Sequence, residues 1–223
     1  MIKIEKLQFS YPEGGFCLDI EELIVERGRR VAVIGSSGTG KTTLLNLISG
    51  VEIPNAGTVS HDGVVISNLS DKQRRDFRSQ HIGFVFQEFE LLEYLNVLDN
   101  ILLPYRISTA LKLNGTVRQR AEQLADSLGM ADKLRRYANQ LSQGERQRVA
   151  ICRALLTEPS VILADEPTGN LDPENTKRVL DIIFDYVSES GATLVSVTHE
   201  LEHVDRFDEV VDFAKFRKGV ADA

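Results

Sequence analysis

Two stretches of the chain carry residue types suited to phosphate chemistry. The first runs Val31, Ala32, Val33, Ile34, Gly35, Ser36, Ser37, Gly38, Thr39, Gly40, Lys41, Thr42, Thr43 and fits G-x-x-x-x-G-K-[ST]. An apolar run feeds a glycine-rich loop, and the loop feeds a helix start. Glycines let consecutive backbone N–H groups point inward, and those donors, with the positive end of the following helix, bind phosphate oxygens. Lys41 is placed to reach the β- and γ-phosphates of a nucleoside triphosphate, and the Thr42 hydroxyl to ligate Mg²⁺. The second stretch, residues 160–167, is an apolar strand ending in Asp165, Glu166 and Pro167. Asp165 suits Mg²⁺, directly or through water, and Glu166 suits orienting or deprotonating an attacking water. Alone, such a stretch is equally a strand that stops in an acidic turn. The phosphate loop in the same chain favours the catalytic reading.

These groups must be carried by a scaffold. Four apolar runs, Val31–Ile34, Ile82–Phe86, Val161–Ala164 and Thr193–Val197, are continuous rather than alternating, as in strands buried on both faces of a parallel sheet. Helical patterns at 41–49, 117–129, 145–157 and 174–189 lie among them, and strands alternating with helices imply an α/β fold. Open sheets of this kind bind ligands at the carboxyl ends of their strands. That rule adds Gln87 and His199, which follow the second and fourth runs. The Gln87 amide oxygen can coordinate Mg²⁺ or water, and His199 can hydrogen-bond the γ-phosphate and the attacking water.

Residues 1–30 alternate apolar and polar positions (Ile2, Ile4, Leu7, Phe9, then Leu18, Ile20, Leu23, Val25), which predicts short half-buried strands with a turn at Tyr11–Gly15. A second strand-rich patch, Gly57–Leu69, turns near Asp62 and Gly63. Residues 88–140 read as helical, with a loop near Leu113–Gly115. The expected architecture is α/β: a P-loop NTPase core with an N-terminal antiparallel β subdomain and an inserted α-helical subdomain. One domain spans 1–223, its core and β subdomain drawn from 1–87 and 141–223 and its lobe from 88–140.

Leu141, Ser142, Gln143, Gly144 and Glu145 open the helical pattern at 145–157. Ser142 with Glu145 fits the S-x-x-E capping box, and Val149, Cys152 and Leu156 follow at helical spacing. By spacing alone this is a well-capped helix and no more. As a set, however, the motifs resemble the ABC (ATP-binding cassette) ATPase family over about Ile2 to Val211. Leu141–Glu145 is similar to the family signature, LSGGQ, with Gln143 and Glu145 departing from it; Gly169-Asn170-Leu171-Asp172 matches the D-loop, and Tyr11 the aromatic residue that stacks on adenine. The resemblance implies a P-loop NTPase (RecA-like) core and an ATPase using ATP and Mg²⁺, working as a head-to-tail homodimer. Each ATP would lie between one copy's phosphate loop and the other's Ser142 and Gly144, with Gln143, Glu145 and Asp172 also at the interface.

Residues 86–92, 141–148 and 163–172 resemble the subgroup of lipoprotein-release, macrolide-export and cell-division ATPases. That subgroup implies integral membrane permease partners and a peripheral place at the cytoplasmic face of the membrane. It leaves a non-transporting regulatory switch of the cell-division kind as the alternative. Glu93, Asn96, Ala138 and Asn139 and the tail after Val211 depart from the subgroup's pattern. Part of the apolar stretch Phe89, Leu91, Leu92, Tyr94 and Leu95 either receives a short helix of the membrane partner or packs inside the lobe.

Composition narrows the field. A net charge of −7 counts against a general nucleic-acid binder. The basic group Lys72, Arg74, Arg75 and Arg78 is interrupted by Asp71 and Asp76 and reads as a solvated helix face. Cys17 and Cys152 form no CxxC pair and read as small buried apolar residues in a reducing compartment. Charge from Lys3 onward leaves no signal-peptide apolar region, and no apolar run approaches the roughly 20 residues that span a bilayer. Chromosome-organising ATPases, which share these motifs, need long coiled coils between them; Gln87 and Leu141 are only 54 positions apart, without sustained heptads. A P-loop small-molecule kinase would have no use for Leu141–Glu145.

Overall fold

The computed structural model describes residues 1–12, 16–169, 171–199 and 202–216. Two sheets organise it. The antiparallel sheet comprises β1 (Ile2–Ser10), β2 (Cys17–Val25), β4 (Ala56–His61) and β5 (Val64–Val65), in the order β2-β1-β4-β5. Ile2 faces Val25, Ile4 faces Leu23 and Phe9 faces Leu18, so the alternating apolar positions share one buried face. The β4–β5 hairpin turns on Asp62 (φ 47°) and Gly63 (φ 84°), both left-handed as a two-residue primed turn requires.

The parallel sheet holds β3 (Arg30–Ile34), β6 (Ile82–Val85), β7 (Val161–Asp165), β8 (Thr193–Thr198) and β9 (Glu209–Asp212), ordered β6-β7-β8-β3-β9. The continuous apolar runs are the four strands of its interior and one edge, as expected. The fifth strand, β9, escaped the sequence reading because it is short and flanked by acids; only Val211 of its four residues is buried.

Helix α1 (Lys41–Ile48) leaves β3 and buries Leu44, Leu45, Leu47 and Ile48 between the two sheets. Each such side chain contributes about 1.5–3 kcal/mol. Helix α2 (Asp71–His81) is capped at Ser70 by a reciprocal box with Gln73. The short helices α3 (Val97–Ile101) and α4 (Leu103–Ile107) precede α5 (Gly115–Ser127), then α6 (Gln143–Leu155) and α7 (Pro173–Ser190). Helix α6 serves two cores: Ile151 and Leu155 pack with α7 and strands β7 and β8, while Val149, Cys152 and Leu156 pack with α3 and α5. Tying the helical segment to the sheet through one shared helix fixes its position. Within residues 88–140 the only extended pairing among the described residues is one bridge, Asn96 to Tyr137.

Two expectations need correction. Cys17 is exposed, because it opens edge strand β2 on the face away from the core; Cys152 is buried and its thiol is pushed up to about 12 by that burial. The basic face of α2 is not wholly solvated: Arg74 is 9% exposed and donates to the Gly50 and Leu69 carbonyls, and Arg78 donates to Gly50 as well. Of the apolar stretch left open between partner contact and lobe packing, Phe89 is buried, Leu91 packs on the core of α3 and α5, Leu92 and Leu95 are half-buried, and Tyr94 is 75% exposed.

The start of β3 is pinned to the start of β9. Asp208 accepts from the Arg30 backbone N–H at 2.8 Å and from its guanidinium at 2.7 and 3.3 Å. These bonds hold the Asp208 carboxyl below its ordinary range. A depressed carboxylate stabilises the fold above the unfolded-state pKa, and that stability is lost as pH falls through the folded value. Asp208→Asn is expected to cost about 2 kcal/mol in urea unfolding at pH 7, with the deficit shrinking below pH 4. A deficit independent of pH would disprove the ion-pair account.

Candidate active site

The glycine-rich loop between β3 and α1 wraps as its sequence requires. Gly38 (φ 73°) and Gly40 (φ 103°) are left-handed, and a Cβ on Gly40 would lie 2.1 Å from the Phe16 ring. Thr39 donates its hydroxyl to the Ser36 carbonyl at 2.8 Å. The Lys41 side chain, 5% exposed, turns into the loop and donates to the carbonyls of Gly35 and Ser36 at 2.7 and 2.9 Å. Its ammonium is 3.5 Å from Glu166 Oε1.

Across the loop stand the carboxyl ends of the other strands. Asp165 closes β7, buried, and accepts from the Thr42 hydroxyl. Burial raises the Asp165 carboxyl above its ordinary range, and Glu166 adds to that; the Thr42 bond and the Lys41 charge oppose it. Glu166 follows in the left-handed region (φ 43°), a strained conformation for a side chain of this kind. Its backbone N–H donates to the Val197 carbonyl of β8 at 3.0 Å, which anchors the turn to the sheet. Its other carboxylate oxygen, Oε2, lies 2.9 Å from His199 Nδ1. Glu166 is thus held between an ammonium and an imidazole.

One cavity of ≈ 360 Å³ gathers Ser37, Gly38, Gly40, Lys41, Thr42, Thr43, Gln87, Asp165, Glu166 and Tyr11. Phe16 also lines it and was not anticipated; its single signal was an aromatic residue ahead of an alternating strand. The Tyr11 hydroxyl and the Thr43 hydroxyl are 3.1 Å apart, and Phe9 and Phe16 flank the Tyr11 ring, with centroids at 4.9 and 5.9 Å. The donor set of Thr42 hydroxyl, Gln87 amide and Asp165 carboxylate suits a hard cation such as Mg²⁺, since all three offer oxygen.

Ser142, Gln143, Gly144, Glu145 and Asp172 do not line this cavity. Ser142 caps α6 in a full box: the Glu145 N–H donates to Ser142 Oγ at 3.3 Å, and the Ser142 N–H to Glu145 Oε2 at 2.8 Å. Lys133 meets the Glu145 carboxylate at 3.0 Å. Hydrogen bonds and Lys133 hold the Glu145 carboxyl below its ordinary range, against the opposing effect of burial. Asp172 caps α7 through the Asn175 N–H at 2.9 Å, and Asn175 crowds Gly144, where a Cβ would sit 2.9 Å from its side-chain oxygen. The start of α6 and the start of α7 are therefore packed against each other. Asn170, of the expected D-loop, lies outside the described residues.

Fold and site together define a nucleoside triphosphatase of the phosphate-loop class. Residues 18–169 match the family model for ABC transporters, and the chain belongs to that family. It is 38% identical over 225 residues to the lipoprotein-releasing system ATP-binding protein LolD 1 of Rhodopirellula baltica, covering 98% of this chain and 97% of that one. It is 39% identical over 214 residues to the ABC transporter ATP-binding protein YbbA of Escherichia coli K12, covering 93% and 92%. Against the macrolide export ATP-binding/permease protein MacB of R. baltica it is 42% identical over 214 residues, covering 95% of this chain and 31% of that protein. Among solved structures, the dimeric cassette MJ0796 superposes with a TM-score of 0.85 at 33% identity, covering 96% and 95%; its post-hydrolysis dimer with ADP and Pi superposes at 0.86. The chain is an ABC transporter ATP-binding subunit, and it hydrolyses ATP.

Gly40→Ala would set a Cβ against Phe16 at a left-handed position, at a strain of about 1–3 kcal/mol. Nucleotide affinity is expected to fall about tenfold or more, with circular dichroism unchanged. A fluorescent-nucleotide titration giving the native affinity would refute this geometry.

Proposed function

We propose that two copies of the chain close head to tail over two ATP molecules, and that hydrolysis reopens them to drive a membrane permease. One observation carries this reading. The cavity holds a phosphate cradle, a cation-binding donor set and a carboxylate poised for water, yet the exposed Ser142 cap and the Gly144 N–H lie outside it. A helix N-terminus with a serine hydroxyl is an anion site. Facing a second copy, it completes the binding of the γ-phosphate. The dimeric form of the cassette MJ0796 supports that arrangement.

The residues divide the work as follows. Tyr11 stacks on adenine, with Phe16 beside it. Backbone N–H groups from Gly35 through Ser36, Ser37, Gly38, Thr39 and Gly40 to Thr43 hold the phosphates. Lys41 leaves the Gly35 and Ser36 carbonyls to reach the β- and γ-phosphates. Thr42, Gln87 and Asp165 would hold Mg²⁺, which would screen the charge between the phosphates. Glu166 accepts the proton of the attacking water while His199, bonded to its second oxygen, orients it and meets the γ-phosphate. Ser142, Gln143, Gly144, Glu145 and Asp172 form the facing half of the site. The whole chain works as a single ATPase domain, with 88–140 as its lobe. ATP acts as the adhesive, and the energy delivered is the difference in dimer affinity between the ATP and ADP states.

The permease engages a groove rather than the stretch around Phe89. This groove, ≈ 640 Å³, lies between α2 and α4 and is lined by the half-buried Phe84, Phe86 and Leu103, by the exposed Ile107 and by Arg75 and Arg78. Its apolar lining suits a short apolar helix. A relative that carries cassette and permease in one chain, MacB, supports a permease as the occupant. No helix of the described residues is long and apolar enough to cross a membrane, so the link to the bilayer, at its cytoplasmic face, runs through that partner.

Glu166→Gln is expected to retain ATP binding, lower turnover by about 10²–10⁴-fold and elute as a dimer in ATP but not in ADP. Wild-type turnover in this variant would remove Glu166 from the mechanism. Phe84→Glu with Ile107→Glu is expected to abolish co-purification with the membrane partner while leaving ATP affinity intact. An undiminished complex would place the permease elsewhere.

A further inference from the structure

We propose that Arg153 is the positioning residue joining the groove to the catalytic edge: its guanidinium, in the groove wall, holds the two left-handed residues that follow Gln87. Phe89 (φ 63°) and Glu90 (φ 48°) are consecutive non-glycine residues in the left-handed region, which side chains rarely adopt. Two local bonds close a tight turn there, the Phe89 N–H donating to the Phe86 carbonyl at 3.2 Å and the Glu90 N–H to the Glu88 carbonyl at 2.7 Å. The turn leaves the carbonyls of Phe89 and Glu90 aimed at one point. Arg153 fills it, donating Nη2 to Phe89 at 2.6 Å and Nη1 to Glu90.

Arg153 is 8% exposed, yet it borders the groove. Among its neighbours Glu90 is the one whose charge supports it; desolvation brings its pKa down to about 10, so it stays charged at neutral pH. A buried cation is tolerated because two carbonyls accept from its planar fork, a geometry that a lysine ammonium cannot reproduce. Arg153 stands in the last turn of α6, whose first turn is capped by Ser142. Eleven residues at about 1.5 Å each separate the two, roughly 16 Å along one rigid helix. An occupant that presses on the groove wall therefore displaces two things together: the segment that places Gln87, and the helix that presents Ser142 to the facing copy.

The proposal rests on reading Gln87 as a Mg²⁺ or water ligand, so Gln87→Ala is measured in parallel. Arg153→Lys in the purified chain is expected to raise the Mg²⁺ concentration for half-maximal ATPase about tenfold, as for the loss of a group that orients a metal ligand, with the ATP KM little changed. Hydrogen exchange at the Phe89 and Glu90 amides is expected to speed up by a similar factor in the absence of nucleotide. Adding Glu90→Gly, which makes the left-handed turn without strain, is expected to restore most of the Mg²⁺ response; a general loss of folding would not be restored. Native exchange and native Mg²⁺ dependence in Arg153→Lys, with Gln87→Ala shifted, overturns the role of Arg153. No shift in Gln87→Ala overturns the Gln87 reading and the proposal with it. A double variant no better than Arg153→Lys overturns the clamp.

Discussion

The Glu166 carboxylate, held between the Lys41 ammonium and the His199 imidazole, is the interaction on which the rest of the molecule turns. It joins three strands of one sheet. Lys41 comes from the first turn of α1, which follows β3, Glu166 from the end of β7 and His199 from the end of β8. The carboxylate is nearly buried, and its backbone is left-handed. Such a conformation persists only where surrounding structure over-determines it. Here the N–H bond to Val197 and the two side-chain partners do so.

Helix α6 is the second organising device. Its first turn carries the Ser142 cap, and its middle sends the fully buried Gln147 to the Pro167 carbonyl at 2.7 Å, one residue beyond Glu166. Its last turn carries Arg153, bonded to the segment after Gln87. A single rigid rod thus touches the residues around Glu166, the residues around Gln87 and, at its Ser142 cap, the surface proposed to face a second copy. Because α6 belongs to two hydrophobic cores at once, a shift of the helices α3 and α5 cannot leave the strands β7 and β8 undisturbed.

Much of the site was legible because its parts are contiguous. Gly35 to Thr43 is one loop, Asp165 and Glu166 are neighbours, and the Ser142–Glu145 box closes within one turn. Continuous apolar runs marked the interior strands, and the rule that ligands gather at strand carboxyl ends located Gln87 and His199 without any motif. What failed did so for physical reasons. Strand β9 has too few apolar residues to signal itself, and its place is set by pairing with β3 and by the Arg30 bond to Asp208. The charges of Arg74 suggested solvent, whereas two backbone carbonyls offered it a buried home.

The sequence by itself determined the chemistry: the phosphate cradle, the paired carboxylates, the helix cap and the alternation that makes an α/β sheet, all of which depend on residues within one turn or one strand of each other. Only the tertiary structure decided which distant groups meet. It set Phe16 against the glycine loop, turned Phe89 inward, opened a groove between α2 and α4 and placed Arg153 under the Phe89 and Glu90 carbonyls. These contacts join segments dozens of residues apart, and local spacing carries no record of them, because packing of the shared cores, not propensity, brings them together.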